Sequence, residues 1–311
     1  MTRRLTLLLP ALAKFAEQPL PQALGKALGR ADRTTLEAGE AAQLLRNFDV
    51  LPQAWPHAAL ARAADAGLDD ARLGAWLRAD PAHLRADING VRLLGVGRTV
   101  GIDSSDVDAL LPALRPLFGD AGMHLDAPHP ERWYLRLAHA TRLPEFASPE
   151  QALGDDVFEH TPDAPEARRW RALASEAQVV LHNHPHNARR LESGRVPING
   201  LWFWGGGVLP DAVASDTPTL YSDDPELRGA AALGKLACMP LTEFRDFGAD
   251  ALVDLRTRRD EAGLIQRWLS EAADSAARHD VVLDFADGIV FTLSRGQRWR
   301  FWRKPLERLA P

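Results

Sequence analysis

The order of apolar and polar residues predicts strands interleaved with helices. Residues 131–138 predict a strand, and so do the short, mostly apolar runs at 4–9 and 198–204. The last of these scarcely alternates, which is typical of a strand buried on both faces. Between residues 166 and 184 apolar side chains recur at helical spacing. Pro185 predicts the end of that helix, because proline disfavours helical geometry in the residue before it.

Turn and cap residues predict further elements. Asn89-Gly90 lies between alternating apolar residues and predicts a tight β-hairpin, and residues 103–106 supply candidate helix caps. The other predicted elements are several short helices over 20–80, a helix from the cap region to Phe118, a helix at 224–237, a strand at 251–255, a helix at 260–277, and a strand meander at 280–302 with turns at Asp287-Gly288 and Arg295-Gly296. This mixture predicts an α/β or α+β chain with a mixed sheet.

The domain organisation follows from the same pattern. A chain of 311 residues is long enough for one large domain or two medium ones. We predict that residues 1–80 and 211–311 form a core α/β domain. Residues 81–210 then form a smaller α+β domain inserted between the two parts of the core.

Composition narrows the class of protein. The hydrophobic content of 46% and the charged content of 25% are ordinary for a globular protein. The net charge of -5 argues against a general nucleic-acid or anionic-membrane partner. A single cysteine, Cys238, excludes an internal disulfide and a thiolate zinc cage. The N-terminal apolar run is interpreted as a buried first strand and not as a signal peptide. We therefore expect a cytoplasmic protein without a membrane partner.

Residues 182–207 gather more hydrogen-bonding side chains than packing requires. Three histidines, three arginines, three asparagines, two tryptophans and a triple glycine fall within this segment. Such side chains are typical of a polar site. Glycines after an apolar run permit close approach of backbone or ligand. The segment therefore predicts a polar site mounted on a strand end.

The histidines His182, His184 and His186 admit three interpretations. The first and third have the i, i+4 spacing of a helical zinc pair, but Pro185 breaks the turn between them. In an extended segment all three share one face, which is a transition-metal arrangement. The alternatives are contact with a polar ligand, and a helix C-cap whose histidines complement the helix dipole. We favour the cap and predict no metal site.

Other chemistries are weakly indicated. No Gly-x-Ser-x-Gly element is present. The triplet Gly205-Gly206-Gly207 is not followed by the Lys-Ser/Thr pair of a phosphate loop. Arg189, Arg190 and Arg195 are candidates for binding an anion, since arginine makes forked bonds to carboxylate and phosphate. A solvated helix face is the structural alternative for the same three residues.

The segment 298–304 alternates basic and aromatic residues. Such interleaving can bind a nucleic-acid strand through stacking and charge. It also suits an edge strand whose aromatic residues face the core while its arginines discourage pairing with another chain. Because the chain is acidic overall, we predict the edge strand.

The central motif resembles the signature of a known family. It is composed of His184-Pro185-x-Asn187-x-x-Arg190, Gly194, Pro197, Asn199, Trp202 and Trp204, and then Gly205-Gly206-Gly207. This pattern is similar to that of bacterial RpfE-type regulatory proteins, a phosphoglycerate-mutase-like family. The similarity extends to residues 76–84, 132–135 and 299–303.

A more distant similarity connects the chain to cofactor-independent phosphoglycerate mutases of archaeal type. Those enzymes belong to the alkaline phosphatase superfamily, which implies a mixed, mostly doubly wound sheet with an inserted domain. In them an Asp-Gly after the first strand and late Asp-x-x-x-His and Asp-His elements hold two divalent metals. Here Pro10-Ala11 follows the first strand, and His279 is the only histidine beyond residue 210. The two-metal chemistry of the family is therefore not expected.

We predict a cytoplasmic, catalytically degenerate regulatory protein that uses no cofactor and binds a small phosphorylated or carboxylate metabolite. The predicted ligand-binding residues are His184, Asn187, Arg190, Asn199, Trp202, Trp204, Gly205, Gly206 and Gly207.

Two alternatives stay open. The first is an active mutase or phosphohydrolase with a metal site rebuilt from Asp80, His83 and the three histidines. The second is a protein-interaction module, with a protein partner or a homodimer, in which Trp202, Trp204 and the last strand form the interface.

Overall fold

The computed structural model describes residues 4–88, 90–160, 165–242, 247 and 250–309. The strands are β1 Arg4–Leu9, β2 Asp32–Thr35, β3 Asp49–Leu51, β4 Ala75–Asp87, β5 Gly90–Val96, β6 His124–His129, β7 Arg132–Leu137, β8 Gly200–Val208, β9 Ala212–Ala214, β10 Thr219–Tyr221, β11 Ala237–Met239, β12 Ala251–Asp254, β13 Asp280–Phe285 and β14 Ile289–Leu293. The α-helices are α1 Gln22–Arg30, α2 Glu40–Leu45, α3 His57–Ala66, α4 Leu68–Ala71, α5 Ser104–Asp120, α6 Pro149–Ala152, α7 Ala167–His182, α8 Pro185–Glu192, α9 Pro225–Gly234, α10 Glu261–Gly263 and α11 Ser270–Ser275. The predicted mixed α/β class is confirmed.

The chain forms two compact units. Met1–Trp55 and Pro210–Pro311 make the first, and Pro56–Leu209 makes the second. The first boundary lies before the predicted position between residues 80 and 81, because β4 belongs wholly to the sheet of the second unit. The two units are of nearly equal length, whereas the insertion was expected to be the smaller.

The first unit is built on a seven-stranded sheet in the order β11-β10-β12-β1-β13-β14-β2. The first five strands in that order are parallel, and β14 runs antiparallel to both of its neighbours, β13 and β2. β1 is central and buried after its first residue, which explains its unbroken apolar run. The strands β10, β12, β1 and β13 therefore end at one edge of the sheet, which we call the carboxyl edge.

The second unit contains an antiparallel sheet in which the long strand β4 pairs with β5, β7 and β8. α5 and α7 pack over an apolar core that includes Leu77, Trp133 and Phe203. The predicted hairpin is present, since Asp87 of β4 pairs with Gly90 of β5. Asn89 of its turn lies outside the described residues.

The C-terminal segment departs from the prediction. Residues Arg295–Trp299 form a 3₁₀-helix and not a strand. The aromatic side chains at the end of this helix and just after it are largely exposed, 60% at Trp299, 68% at Phe301 and 76% at Trp302. The expectation that these aromatics face the core is therefore wrong. Among the described residues no helix has the length and apolar character needed to cross a membrane.

Candidate functional site

The predicted helix end at Pro185 is confirmed, and the motif that follows begins a second helix. α7 ends at His182, and His184 becomes the N-cap of α8. The His184 Nδ1 accepts a hydrogen bond from the backbone N–H of His186 at 3.3 Å. Burial, and then the neighbouring His186 and Arg189, lower the pKa of His184. A neutral imidazole suits this role, because the cap needs a ring nitrogen that accepts.

Asn187 connects α8 to the chain that leads into β8. Its Nδ2 donates to the carbonyls of Leu181 at 2.7 Å and Ile198 at 2.8 Å. Its Oδ1 accepts from the backbone N–H of Ile198 at 2.8 Å. The amide thus holds the end of α7 and residue 198 together.

Arg190 is 1% exposed, and its guanidinium donates hydrogen bonds to other groups of the protein. Nε donates to the carbonyl of Val196 at 2.8 Å, and Nη2 to that of Val100 at 2.9 Å. Nη1 donates to Oδ2 of Asp106 at 2.5 Å. An anionic ligand at Arg190 would have to compete with a buried carboxylate that is already bound there.

Asp106 joins three basic side chains at the start of α5. Its Oδ1 lies 2.6 Å from His186 Nε2, and its Oδ2 accepts from Arg190 and, at 2.6 Å, from Arg195. Burial alone would raise the pKa of Asp106, but the hydrogen bonds from His186 and Arg190 outweigh burial and hold the pKa below its ordinary value. Two of the three predicted anion-binding arginines, Arg190 and Arg195, are therefore paired with an anion that the chain itself supplies.

The tryptophans and Asn199 bind to backbone and carboxylate groups of the second unit. Asn199 exchanges two hydrogen bonds with the backbone of Leu84, at 2.7 and 2.8 Å. Trp202 Nε1 donates to the carbonyl of Ala147 at 3.0 Å. Trp204 Nε1 donates to Oδ2 of Asp80 at 2.8 Å. Burial raises the pKa of Asp80, although Arg78 opposes the shift.

The triple glycine of β8 serves close packing. Gly205 has a φ of +66°, and a Cβ added there would lie 2.7 Å from Cβ of His57. A Cβ on Gly207 would lie 2.6 Å from Cβ of Pro56. Backbone approach was predicted at these glycines, but what approaches is the start of α3. Glycine is required at Gly205 because a left-handed φ and a near contact coincide.

The predicted residues form contacts in separate places. Six positions separate Asn199 from Gly205, which is about 20 Å along an extended strand. The helix α8 contacts residues 196–198, while the glycines contact His57 and Pro56. Ligand binding by this set stays a prediction. Each member has a structural partner within the protein.

The carboxyl edge of the first unit holds a second group of polar side chains, which the sequence interpretation missed. Ligands in open α/β sheets bind at the carboxyl ends of strands. Asp254 is the last residue of β12, and both of its oxygens accept from Arg256, from Nε at 2.8 Å and from Nη2 at 3.1 Å. Ser222 Oγ also donates to Asp254, at 2.9 Å. Both members of the ion pair are buried.

The strand β13, on the other side of β1, carries a similar pair near its end. Asp284 accepts from Arg46 Nη2 at 2.7 Å and from Arg46 Nε at 3.0 Å, and from Asn47 at 3.0 Å. Gln43 is fully buried, and its Nε2 donates to the carbonyls of Leu9 and Asp284. The amide of Gln43 thus joins the ends of β1 and β13.

Additional carboxylates surround Arg256. Asp224 is the N-cap of α9, and its Oδ2 lies 3.9 Å from Arg256 Nη2. Burial and then the nearby Glu226 raise the pKa of Asp224 to about 7. Oε2 of Glu226 accepts from Trp55 Nε1 at 2.9 Å, and Glu40 lies 3.8 Å from Arg256. Among the residues that the structure describes, the edge therefore carries more carboxylates than arginines.

These residues do not fit the two-metal centre that the family resemblance implies. The carboxylates of Asp254 and Asp284 are each bound by an arginine fork, which directs the carboxylate lone pairs to guanidinium hydrogens. His279 precedes β13 and so lies at the opposite edge of the sheet. Among the described residues no three His, Cys, Asp or Glu side chains are grouped to hold a metal ion.

Comparison with known proteins gives short but clear similarities. A probable 2,3-bisphosphoglycerate-independent phosphoglycerate mutase of Geobacter sulfurreducens is 44% identical over 62 residues, which are 20% of this chain and 16% of that protein. The 2,3-bisphosphoglycerate-independent phosphoglycerate mutase of Methanosarcina barkeri is 35% identical over 66 residues, 21% of this chain and 17% of that protein. Over that segment the chain is phosphoglycerate-mutase-like. It matches about one sixth of the length of these curated relatives.

No family model matches the chain. Two solved structures align over most of its length. A cofactor-independent phosphoglycerate mutase from Thermoplasma acidophilum has a TM-score of 0.42 and 17% identity, covering 95% of this chain and 90% of that one. A protein from Pyrococcus horikoshii has a TM-score of 0.48 and 13% identity, covering 94% and 87%. The predicted similarity to cofactor-independent mutases is confirmed in the matched segment. The more specific RpfE-type assignment stays a prediction.

Proposed function

We propose that this chain is a catalytically degenerate, phosphoglycerate-mutase-like protein with a regulatory role, which acts in the cytoplasm by binding and not by phosphoryl transfer. The observation that supports this is the pair of arginine forks at the carboxyl edge. Two-metal phosphoryl transfer needs ions that neutralise the attacking and leaving oxygens. Here Arg46 and Arg256 supply the positive charge beside Asp284 and Asp254.

The ligand that we propose is a small phosphorylated or carboxylate metabolite. Support comes from the concentration of arginine and asparagine in residues 182–207. Because Arg190 is buried against Asp106, its replacement would disturb the fold as well as any site. The exposed Arg189 is the better position for a binding variant.

An activity assay tests the absence of catalysis. Conversion of 3-phosphoglycerate to 2-phosphoglycerate is followed with and without Mn²⁺, beside an active cofactor-independent mutase as a positive control. We expect no conversion above the rate without protein. Turnover that requires Mn²⁺, together with stoichiometric metal in elemental analysis, would show an active enzyme with a rebuilt site.

Calorimetric titration tests the binding proposal separately. The probes are 3-phosphoglycerate and inorganic phosphate, added to the native chain and to Arg189→Ala. We expect saturable binding to the native chain that is weakened in the variant. If neither probe binds, the proposed class of ligand is wrong, whatever the activity assay shows.

A further inference from the structure

Three aromatic side chains and several basic ones are exposed close together in the sequence after β14. We define the aromatic–basic surface as Arg298, Trp299, Phe301, Trp302, Arg303 and Lys304. The rings of Trp299 and Phe301 meet edge to face with centroids 6.0 Å apart. Arg298 lies 4.9 Å from the Trp299 ring centroid, and Arg30 lies 5.3 Å from that of Phe301. Exposed aromatics scattered singly need no explanation, but three within four residues mark an interaction surface.

This surface is held in place by the fold. Gln297 is buried and its Nε2 donates to Asp32 and to the carbonyl of Thr292, both at 3.0 Å. Arg300 pairs with Asp32 and donates to the carbonyl of Arg30 at 3.0 Å. The aromatic–basic surface therefore has a fixed base, which reduces the ordering cost of binding a partner.

The chain that follows this surface is also anchored. The backbone N–H of Leu306 donates to the carbonyl of Gly25 at 2.9 Å. A Cβ at Gly29 would meet the carbonyl of Lys304, so α1 and this segment are in close contact. The exposed aromatic side chains therefore project from a segment that is fixed at both ends.

The charge of this region contrasts with that of the whole chain. Residues 295–308 contain five arginines, one lysine and a single acidic residue, Glu307, in a chain of net charge -5. A complementary partner is therefore acidic. Tryptophan and arginine are the residues that contribute most to binding at protein interfaces.

The ring geometry distinguishes a protein partner from a nucleic acid. Successive bases stack on aromatic faces that are accessible and roughly parallel to one another. Here Trp299 and Phe301 are nearly perpendicular, at 81°, and each has a guanidinium close to its ring. Side chains of a protein partner require no such parallel arrangement. We propose that the aromatic–basic surface binds an acidic segment of a partner protein, with an apolar anchor at Trp302 and carboxylates at Arg303 and Lys304.

A fluorescence anisotropy titration tests this proposal, which does not rest on the proposed degenerate function. The probe is a fluorescein-labelled peptide of alternating Glu-Glu-Phe units, at physiological ionic strength. We expect saturable binding that weakens with added salt. Affinity should fall about tenfold or more in Phe301→Ala/Trp302→Ala and in Arg303→Glu/Lys304→Glu. The double variant Arg85→Glu/Arg98→Glu, which makes the same charge change on exposed residues of the second unit, should bind as the native chain does.

Further probes separate the competing outcomes. Circular dichroism and thermal unfolding establish that each variant is folded. A peptide with lysine in place of glutamate should not bind. The proposal is overturned if the acidic peptide does not saturate, or if the surface variants bind it as the native chain does. Tighter binding of labelled oligo-dT that the same variants abolish would instead show a nucleic-acid surface. A dimer in light scattering that Trp302→Ala dissociates would show that a second copy covers it.

Discussion

Arg190 shows how a residue type that suggests anion binding can be used within the fold. Its partner Asp106 is distant in sequence and lies at the first turn of α5. Sequence spacing indicates that arginines and asparagines are concentrated, but it does not reveal which buried carboxylate they meet. The concentration of polar residues in the motif could thus be seen in the sequence, but the partners of those residues could not.

Replacing Arg190 by alanine should strongly destabilise the protein. Asp106 is fully buried, and loss of one member of a buried ion pair leaves an uncompensated charge, which costs about 3–5 kcal/mol. In the variant Asp106 keeps its contacts with His186 and Arg195, so we expect a loss near the lower end of that range. Urea unfolding measures it. The control Arg189→Ala should change the free energy of unfolding by about 0.5 kcal/mol or less. Equal effects of the two substitutions would contradict the structural role.

Asp224 should make stability depend on pH. Its pKa is raised to about 7 in the folded protein, above the value of about 3.9 in the unfolded chain. Between these values the folded state holds a proton that the unfolded state has released. The contribution of Asp224 to the free energy of unfolding therefore falls as the pH rises through this window, and it is lowest above about 7.

The variant Asp224→Asn isolates this effect, because asparagine also caps a helix and does not titrate. We compare the free energy of unfolding of the variant with that of the native chain at each pH. The variant's value minus the native value should increase by on the order of 1 kcal/mol or more between about pH 4 and pH 7. Urea unfolding across that range measures the difference. A difference that stays constant with pH would show that Asp224 keeps its ordinary pKa.

At the scale of elements, the triple glycine of β8 shows the limit of a sequence motif. A glycine run after an apolar strand indicates close approach, and close approach is what the structure has. The partner, however, is the start of α3, which comes more than a hundred residues earlier in the chain. The local sequence pattern could not show whether a ligand or a helix lies against these glycines.

Gly205→Ala should be more destabilising than Gly194→Ala. Both glycines have positive φ, +66° and +75°, so each substitution carries a backbone cost of about 1–2 kcal/mol. At Gly194 an added Cβ has nothing within 4 Å, whereas at Gly205 it lies 2.7 Å from His57. The overpacking should add about 1–3 kcal/mol in urea unfolding. Similar losses for the two variants would show that β8 can move away from α3.

Elements with strong local patterns were predictable, and those that depend on a distant neighbour were not. The helix expected between residues 166 and 184 is α7, and the strand expected at 251–255 is β12. β2 has four exposed residues, Asp-Arg-Thr-Thr, and no apolar alternation, yet it forms because β14 offers a free edge. The segment after residue 294 alternates as a strand would, but Gln297 is bound to Asp32 and Thr292 and the chain turns there.

At the scale of the whole molecule, the carboxyl edge depends on strand order. Asp254 and Asp284 lie at or near the ends of β12 and β13, within segments that were predicted to be strands, so each could be found in the sequence. That β12 and β13 both pair with β1, and so bring the two aspartates to one edge, requires the topology. Their arginine partners come from different parts of the chain, Arg46 before the second unit and Arg256 after it. This is why the sequence did not point to the carboxyl edge.

The second unit should fold when it is expressed alone as residues 56–209. It has its own five-stranded sheet, and the apolar core between that sheet, α5 and α7 is formed within the unit. We expect cooperative urea unfolding of this fragment.

Leu114→Ala serves as the matched variant, because Leu114 is fully buried in that core and its loss should cost about 2–5 kcal/mol. The contacts of Leu114 lie within the unit. The substitution should therefore lower the free energy of unfolding of the fragment by the same amount as it lowers that of the second unit in the full chain. A fragment that aggregates or unfolds without cooperativity would show that Pro56–Leu209 depends on the rest of the chain for its stability.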